Sequence, residues 1–351
     1  MKTNTQMKPI THLEHPEDLV LSGDFWVFDA LLGNEGFISQ KIDGCPAIVW
    51  GTHPVNGEFF VGTKSVFNKK KIKICYSSKD VDSLYSGDNY DDLRRVLKAC
   101  LKHLPRTEDV YQGDFIGFGG DNTYKPNTLT YVFPEVVEEN IIVAPHTFYI
   151  DVDNSLSSMQ PFPLEGELIS TSKCKFIQPI VDRVALNNEI VLDKDNYSFL
   201  SKKQLAQAKK EINALIREGI ELTDLELYRI IGDEHLVNLY QLVIAYKEEF
   251  MENCITYSEF QTYLGDEKVQ GEGFVLHTED GAIKLVNREE FAIANFTQGK
   301  FSWGWYTCTT RNPLPPLGFL IDTLCFFGVL GGSGVIGRFP RWNRLKIQSC
   351  Y

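Results

Sequence analysis

In the stretch SQKIDGCPAIVWG, residues 39 to 51, Lys41 stands between two apolar, strand-like runs and is followed by Asp43 and Gly44. A lysine amine attacks phosphorus only when neutral, and at its ordinary pKa of about 10.4 only about one in two thousand is neutral at pH 7. A pocket that lowers the pKa to ~7–8 raises that fraction several-hundredfold, and burial or a neighbouring cation does this. A strand end holds such a side chain rigidly, and the Asp-Gly turn lets a ligand approach the backbone. The competing reading is a charge that keeps an edge strand from pairing further. Further groups of matching chemistry follow along the chain: Lys64 and Ser65 in GTKS, Asp114 in YQGDF, Phe148 and Tyr149 in HTFYIDV, Glu272 in EGFVL and Lys284 in AIKLV. Lysines for phosphates, carboxylates for Mg²⁺ and ribose, and an aromatic face for a base together suit a nucleoside triphosphate.

The elements that must position these groups are legible in outline. Residues 36 to 67 predict a β-meander: GFISQKI, a turn at Asp43-Gly44, PAIVWG, a turn in PVNGE, then FFVGTKSVF. YDDLRRVLKACLKHL carries Leu93, Val96, Leu97, Cys100 and Leu101 in a helical stripe behind an acidic first turn. DVYQGDFIGFG, LTYVFP and NIIVAPHTFYIDV read as strands. From 200 to 255 the period changes to helical: KKQLAQAKKEINALIREG, then Thr223 with Glu226 as a capping box before LELYRII, then EHLVNLYQLVIAYKEEF. GEGFVLHTEDGAIKLV reads as a hairpin on an Asp-Gly turn and NREEFAIANF as a short helix. The expected class is α+β, dominated by antiparallel sheet, with segments at 1–199, a helical insert at 200–255, a closing hairpin and helix at 256–300, and an apolar tail at 301–351.

With 351 residues, 43% apolar and 23% charged, the composition is that of a soluble globular protein. The formal net charge of −12 argues against a chain coated in nucleic acid but leaves room for a local basic groove. The best candidate is KSVFNKKKIKI, with Lys64, Lys69, Lys70, Lys71 and Lys73; its plain reading is a solvated loop. Eight cysteines without a Cys-x-x-Cys pair make neither a zinc site nor a disulfide framework, so a reducing cytoplasm is expected. His12 and His15 are three apart, with no further metal ligand beside them. The run 317–337 is as long as a membrane span but contains Asp322 and many glycines, so a buried or partner-covered tail is expected there rather than an anchor.

Lys41-Ile42-Asp43-Gly44, then Gly113-Asp114, Phe148, Glu272-Gly273-Phe274-Val275 and Lys284, in that order, resemble the motifs of the covalent nucleotidyltransferases. These are the ATP-dependent DNA and RNA ligases and the mRNA capping enzymes; in texture the chain is similar to phage-encoded, RNA-ligase-like proteins. The resemblance spans about 36 to 300 outside the helical insert. It implies an antiparallel-sheet nucleotidyltransferase domain of the ligase adenylation (ATP-grasp-like) kind, with no evident OB-fold. It further implies that Lys41 attacks the α-phosphate of ATP, that Asp43 and Gly44 shape the pocket, and that Lys64 and Ser65 contact phosphate or acceptor. Asp114 then lies near the ribose and metal, Phe148 stacks on adenine, Glu272 binds Mg²⁺, and Lys284 holds the α-phosphate. The sequence departs from the family pattern where Asp114 replaces the usual glutamate and where the last motif carries Lys284 alone instead of two lysines. CPAIVWG also lacks the arginine that DNA ligases place after Lys-x-Asp-Gly. The implied acceptor is a 5′-phosphorylated RNA end. Alternatives are adenylyl or guanylyl transfer to a protein or small molecule, and a decayed nucleotide-binding interaction protein.

Overall fold

Short apolar-alternating runs and amphipathic helices assemble into an α+β architecture built on antiparallel sheets. The computed structural model describes residues 8–289 and 291, apart from 11, 185–189 and 191–196. The expected tail at 301–351 and most of the NREEFAIANF helix lie outside the described residues. The helices are α1 Pro16–Val20, α2 Trp26–Leu32, α3 Ser78–Leu84, α4 Asp91–His103, α5 Lys202–Arg217, α6 Asp224–Ile231 and α7 Glu234–Glu252. The strands through the middle of the chain are β1 Phe37–Gln40, β2 Ala47–Thr52, β3 Phe59–Gly62, β4 Val110–Phe118, β5 Thr123–Tyr124, β6 Thr130–Val132, β7 Ile141–Ile150 and β8 Gln160–Pro163. The later strands are β9 Cys174–Phe176, β10 Ile180–Arg183, β11 Cys254–Tyr257, β12 Gln261–Leu264, β13 Glu267–Val269, β14 Gly273–His277 and β15 Ala282–Val286.

Two sheets frame the functional region. The larger has the order β3-β2-β4-β7-β8, with β9 added parallel to β7. The smaller is β1-β14-β15, antiparallel throughout. The expected meander is therefore divided. β2 and β3 form their hairpin in the large sheet, while β1 pairs with β14 more than 230 residues away in sequence. The Asp43-Gly44 segment is a crossover between sheets rather than a hairpin turn. Period-2 alternation specifies a strand but not its partner, which is why the sequence pattern reads the same in either case.

Each sheet has one face closed by core. Ile48, Trp50, Tyr111, Phe115 and Val143 of the large sheet bury against Val96, Leu97 and Cys100 of α4 and Val81 of α3. On the small sheet Phe274, Leu276, Ile283 and Leu285 bury against α1, α2, α5, α6 and α7, so the helices of the 200–255 segment share one core with the N-terminal helices. Each of these side chains contributes about 1.5–3 kcal/mol by burial, which fixes the register of both strands. Alternation then turns Val275, His277 and Lys284 toward the opposite side, where the large sheet presents Ala47, Gln112 and Asp114. No helix among the described residues is long and apolar enough to cross a membrane.

Candidate active site

Between these two faces lies a cleft of about 1200 Å³, lined by Lys41, Lys64, Asp114, His146, His277 and Lys284 among others. Lys41 is the first residue past β1, and its backbone N–H continues the ladder by donating to the Gly273 carbonyl at 2.9 Å. Because β1 and β14 are antiparallel, Glu272 arrives beside it, and the Lys41 ammonium donates to the Glu272 carboxylate in an ion pair. Both side chains are mostly buried, at 30% and 13% exposure. Burial pushes the Glu272 carboxyl above its ordinary range, against the pull of Lys41.

The crossover after Lys41 is held in place by Asp43. Its carboxylate accepts from the Asn127 side-chain amide at 2.8 Å and from the backbone N–H groups of Thr128 and Leu129 at 2.9 and 3.3 Å. Its own N–H donates to the Tyr131 hydroxyl at 2.7 Å. Asp43 thus anchors a loop and does not line the cleft. At Gly44 a Cβ would lie 2.7 Å from the Asp114 Cβ and 2.8 Å from the Ile116 Cδ1. Only a glycine lets this segment press onto β4 and bring Lys41 over Asp114.

Asp114 sits mid-sheet, paired to Ala47 on β2 and Ala144 on β7. Burial pushes its pKa up to about 7; Lys41 and Lys64 pull the other way, while Asp43 and Glu272 add to the rise. His146 Nε2 lies 3.8 Å from this carboxylate, and burial, with Lys64 and Lys41, drives the His146 pKa down to about 4. His146 is the extra residue of a β-bulge: Gln112 pairs with Thr147 but Gly113 pairs with Pro145. Such a bulge re-aims side chains. Here it aims His146 into the cleft beside Gln112, which accepts from the Tyr149 hydroxyl at 2.7 Å.

The same bulge corrects one expectation. Past it the faces of β7 are exchanged, so Phe148 joins the α4-covered core and packs on Phe162 with ring centroids 5.8 Å apart. Phe148 is not a lining residue, whereas Tyr149 and Phe67, 4.3 Å apart, are. Ser65 is a second correction: its hydroxyl lies 2.9 Å from that of Thr63 and 3.3 Å from that of Tyr85, away from the cleft. Lys64 does line the cleft, and is exposed there.

Lys284 faces the cleft from β15, opposite Val275. Burial pushes its pKa below the ordinary lysine value. His277, 5% exposed, is driven down to about 3 by burial, and its Nδ1 has no hydrogen-bond partner among the described residues. Sequence reading missed His146, Gln112 and His277, and favoured Phe148 over its neighbour Tyr149 for the base. The available signal was polar side chains inside otherwise buried strands, as in APHTFY and FVLH.

Among the described residues no three His, Cys, Asp or Glu side chains are grouped to hold a metal ion by themselves. His12 lies 3.9 Å from Glu14 and His15 precedes α1 as its N-cap, so the two do not share a helix face. Asp114 and Glu272 are two carboxylates in one region. That fits Mg²⁺ in its commonest protein setting, where one or two carboxylates act together with substrate phosphates and waters.

No curated protein and no solved structure matches the chain. A family of unknown function, DUF6267, matches it over residues 10–228 and 192–300, and the protein belongs to that family.

Proposed function

We propose that the protein is a covalent nucleotidyltransferase that uses ATP and Mg²⁺ and carries the nucleotide on Lys41. The observation that carries this reading is the meeting of Lys41, Lys64, Asp114 and Lys284 in one cleft, with Glu272 paired to the amine. In the first step Nζ of Lys41 bonds to the α-phosphorus, the bond to the β-phosphate oxygen breaks, and pyrophosphate leaves. The ion pair with Glu272 is a resting arrangement that the incoming triphosphate opens, and the amine proton leaves through that carboxylate. Lys284 and Lys64 bind phosphate oxygens and stabilise the charge that develops on them. Asp114 and Glu272 would hold Mg²⁺, which would supply positive charge against that of the triphosphate. The base packs on the Phe67–Tyr149 pair in place of Phe148. In the second step AMP passes to a 5′-phosphorylated RNA end, a phosphate that Lys64 at the exposed mouth is placed to receive.

The test is incubation with α-labelled ATP, and in parallel GTP, in the presence of Mg²⁺. Label is expected to survive denaturing electrophoresis and to be lost completely in Lys41→Ala. Absence of label with both nucleotides overturns the proposal. Movement of the label onto 5′-phosphorylated RNA tests the acceptor, and its retention on the protein rejects RNA.

A further inference from the structure

Edge strand β3 has a cavity at each end. Lys64, just past its last residue, lines the cleft; Phe59, its first residue, lines a second cavity of about 670 Å³. Five residues of chain separate the two, at most about 17 Å. The second cavity is walled on one side by Lys98, Lys102 and Arg106, and on the other by Tyr76 and Ser77; Glu58 is its one lining carboxylate. Lys98 is paired with Asp82 at 2.6 Å, and the Arg106 guanidinium lies 5.4 Å from the centre of the Phe59 ring. Lys102 is exposed and has no ion pair among the described residues.

The chain between the cavities follows the same edge. After Lys64 it returns alongside β3, where Cys75 and Val61 exchange backbone hydrogen bonds of 2.9 and 3.0 Å, and it carries exposed Lys69, Lys70 and Lys71 on the way. Beyond it Lys73 lies 4.4 Å over the Tyr85 ring and 5.3 Å over that of Tyr90, which is 40% exposed. From residue 64 to 106 the chain has eleven lysines and arginines against five aspartates and no glutamate, inside a protein of net charge −12. Like charges gathered on one edge repel each other, and a row of them between two cavities is what a row of phosphates neutralises.

We infer that the β3 edge is a track for single-stranded nucleic acid, running from Lys64 past Lys69–Lys71 to the Lys98, Lys102 and Arg106 cavity. Its backbone phosphates meet the cations, and an unpaired base meets the exposed face of Tyr90. The track stands on charge and geometry. It rests on nucleotidyl transfer only for polarity, which puts the 5′ end at Lys64.

The experiment is fluorescence anisotropy of a labelled single-stranded RNA oligonucleotide across about 50 to about 200 mM salt, without ATP. Wild-type affinity is expected to fall with salt. The triple variant Lys98→Glu, Lys102→Glu, Arg106→Glu is expected to bind at least about tenfold more weakly, with the slope of log K against log salt reduced by about 2, at ~0.7 per lost phosphate contact. The exposed pair Lys102→Gln, Arg106→Gln, checked by thermal unfolding, should reduce the slope by about 1 if the triple variant does not fold. Equal affinity and slope in the variants, or no binding by the wild type, overturns the track. Charge-dependent RNA binding without labelling of Lys41 leaves the track standing and removes nucleotidyl transfer; labelling with charge-independent RNA binding does the reverse.

Discussion

Among the described residues two groups of buried charge lie on the two sides of the small sheet. On the helical side Lys247 of α7 pairs with Glu17 of α1 at 2.8 Å, with side chains 4% and 1% exposed. Arg288 pairs with Asp18 at 2.8 Å and also donates to the Asn213 side-chain oxygen from Nε and from a terminal nitrogen, at 3.2 and 3.0 Å. On the cleft side Lys41 alone of the described lysines that line it has a carboxylate partner. Lys284 has no ion pair among the described residues, and Asp114 has only a histidine at 3.8 Å. In the helical set each carboxylate has a cation at 2.8 Å, with Lys209 also 3.9 Å from Asp18 and His15 3.6 Å from Glu17. The set is therefore sealed and fixes how α1, α5 and α7 dock, although burial still pushes the Asp18 carboxyl up. The cleft set is open and incompletely compensated, the condition under which ionisation is displaced toward neutrality and a ligand supplies the missing charge.

Removing one member separates the two sets most sharply. Lys247→Ala leaves Glu17 buried without a counter-charge, and chemical denaturation should show a loss of about 3–5 kcal/mol. Lys284→Ala should leave the denaturation midpoint nearly unchanged and cut the rate of self-labelling about 10²–10³-fold, as loss of one transition-state donor does. If Lys284→Ala unfolds the protein, or labels at the wild-type rate, the distinction between a sealed and an open set fails.

The elements of both sets were legible because their patterns are local. The β14–β15 hairpin follows from alternating apolar residues about the turn at Asp280-Gly281, and α4 from its 3.6-residue stripe. Thr223 caps α6, accepting from the Glu226 N–H at 3.3 Å, but the expected box is half made. The Glu226 carboxylate pairs with Arg229 at 2.6 Å, and the Thr223 N–H donates to the Glu221 carbonyl. What depends on distant partners was not legible. β1 takes its place from β14, and the Asp43 carboxylate is used up by Asn127, Thr128 and Leu129, more than 80 residues away. The facing of Phe148 depends on one inserted residue in a pairing between β4 and β7, and alternation counted along β7 alone misses it. Charge blocks, in contrast, are visible at once; their neighbourhood is not. The KSVFNKKKIKI run reads as a solvated loop until the fold lays it along β3 with α4 beyond it.

The pH dependence of stability sharpens the comparison further, with a smaller effect. The Asp114 carboxyl is raised to about 7 in the fold, so the native state holds a proton that the unfolded chain releases near pH 4. Stability therefore falls as pH rises from about 4 to about 7. His146, lowered to about 4, acts in the opposite direction below about 6.5, because the unfolded chain binds the proton first. The two partly cancel in the wild type. The difference in unfolding free energy between wild type and Asp114→Asn isolates the carboxyl and should change by about 1–3 kcal/mol across that window, to the disadvantage of the wild type at high pH. A flat difference would mean that the cations around Asp114 compensate its burial in full.

The smallest expected effect tests the bulge. If Phe148 stacked on the base, Phe148→Leu would weaken nucleotide binding about tenfold, the equivalent of about 1.4 kcal/mol. In the structure its ring lies on Phe162 behind the sheet, so the substitution should cost stability, about 1 kcal/mol, and leave ATP affinity within about twofold. Phe67→Leu is the matched variant on the cleft side, where its ring lies on Tyr149, and the loss of affinity belongs to it instead. Calorimetric titration of both variants with ATP in the Lys41→Ala background reads binding without turnover. A tenfold loss in Phe148→Leu with none in Phe67→Leu would place the base on the α4 side of the large sheet and separate it from Lys41 by the sheet itself.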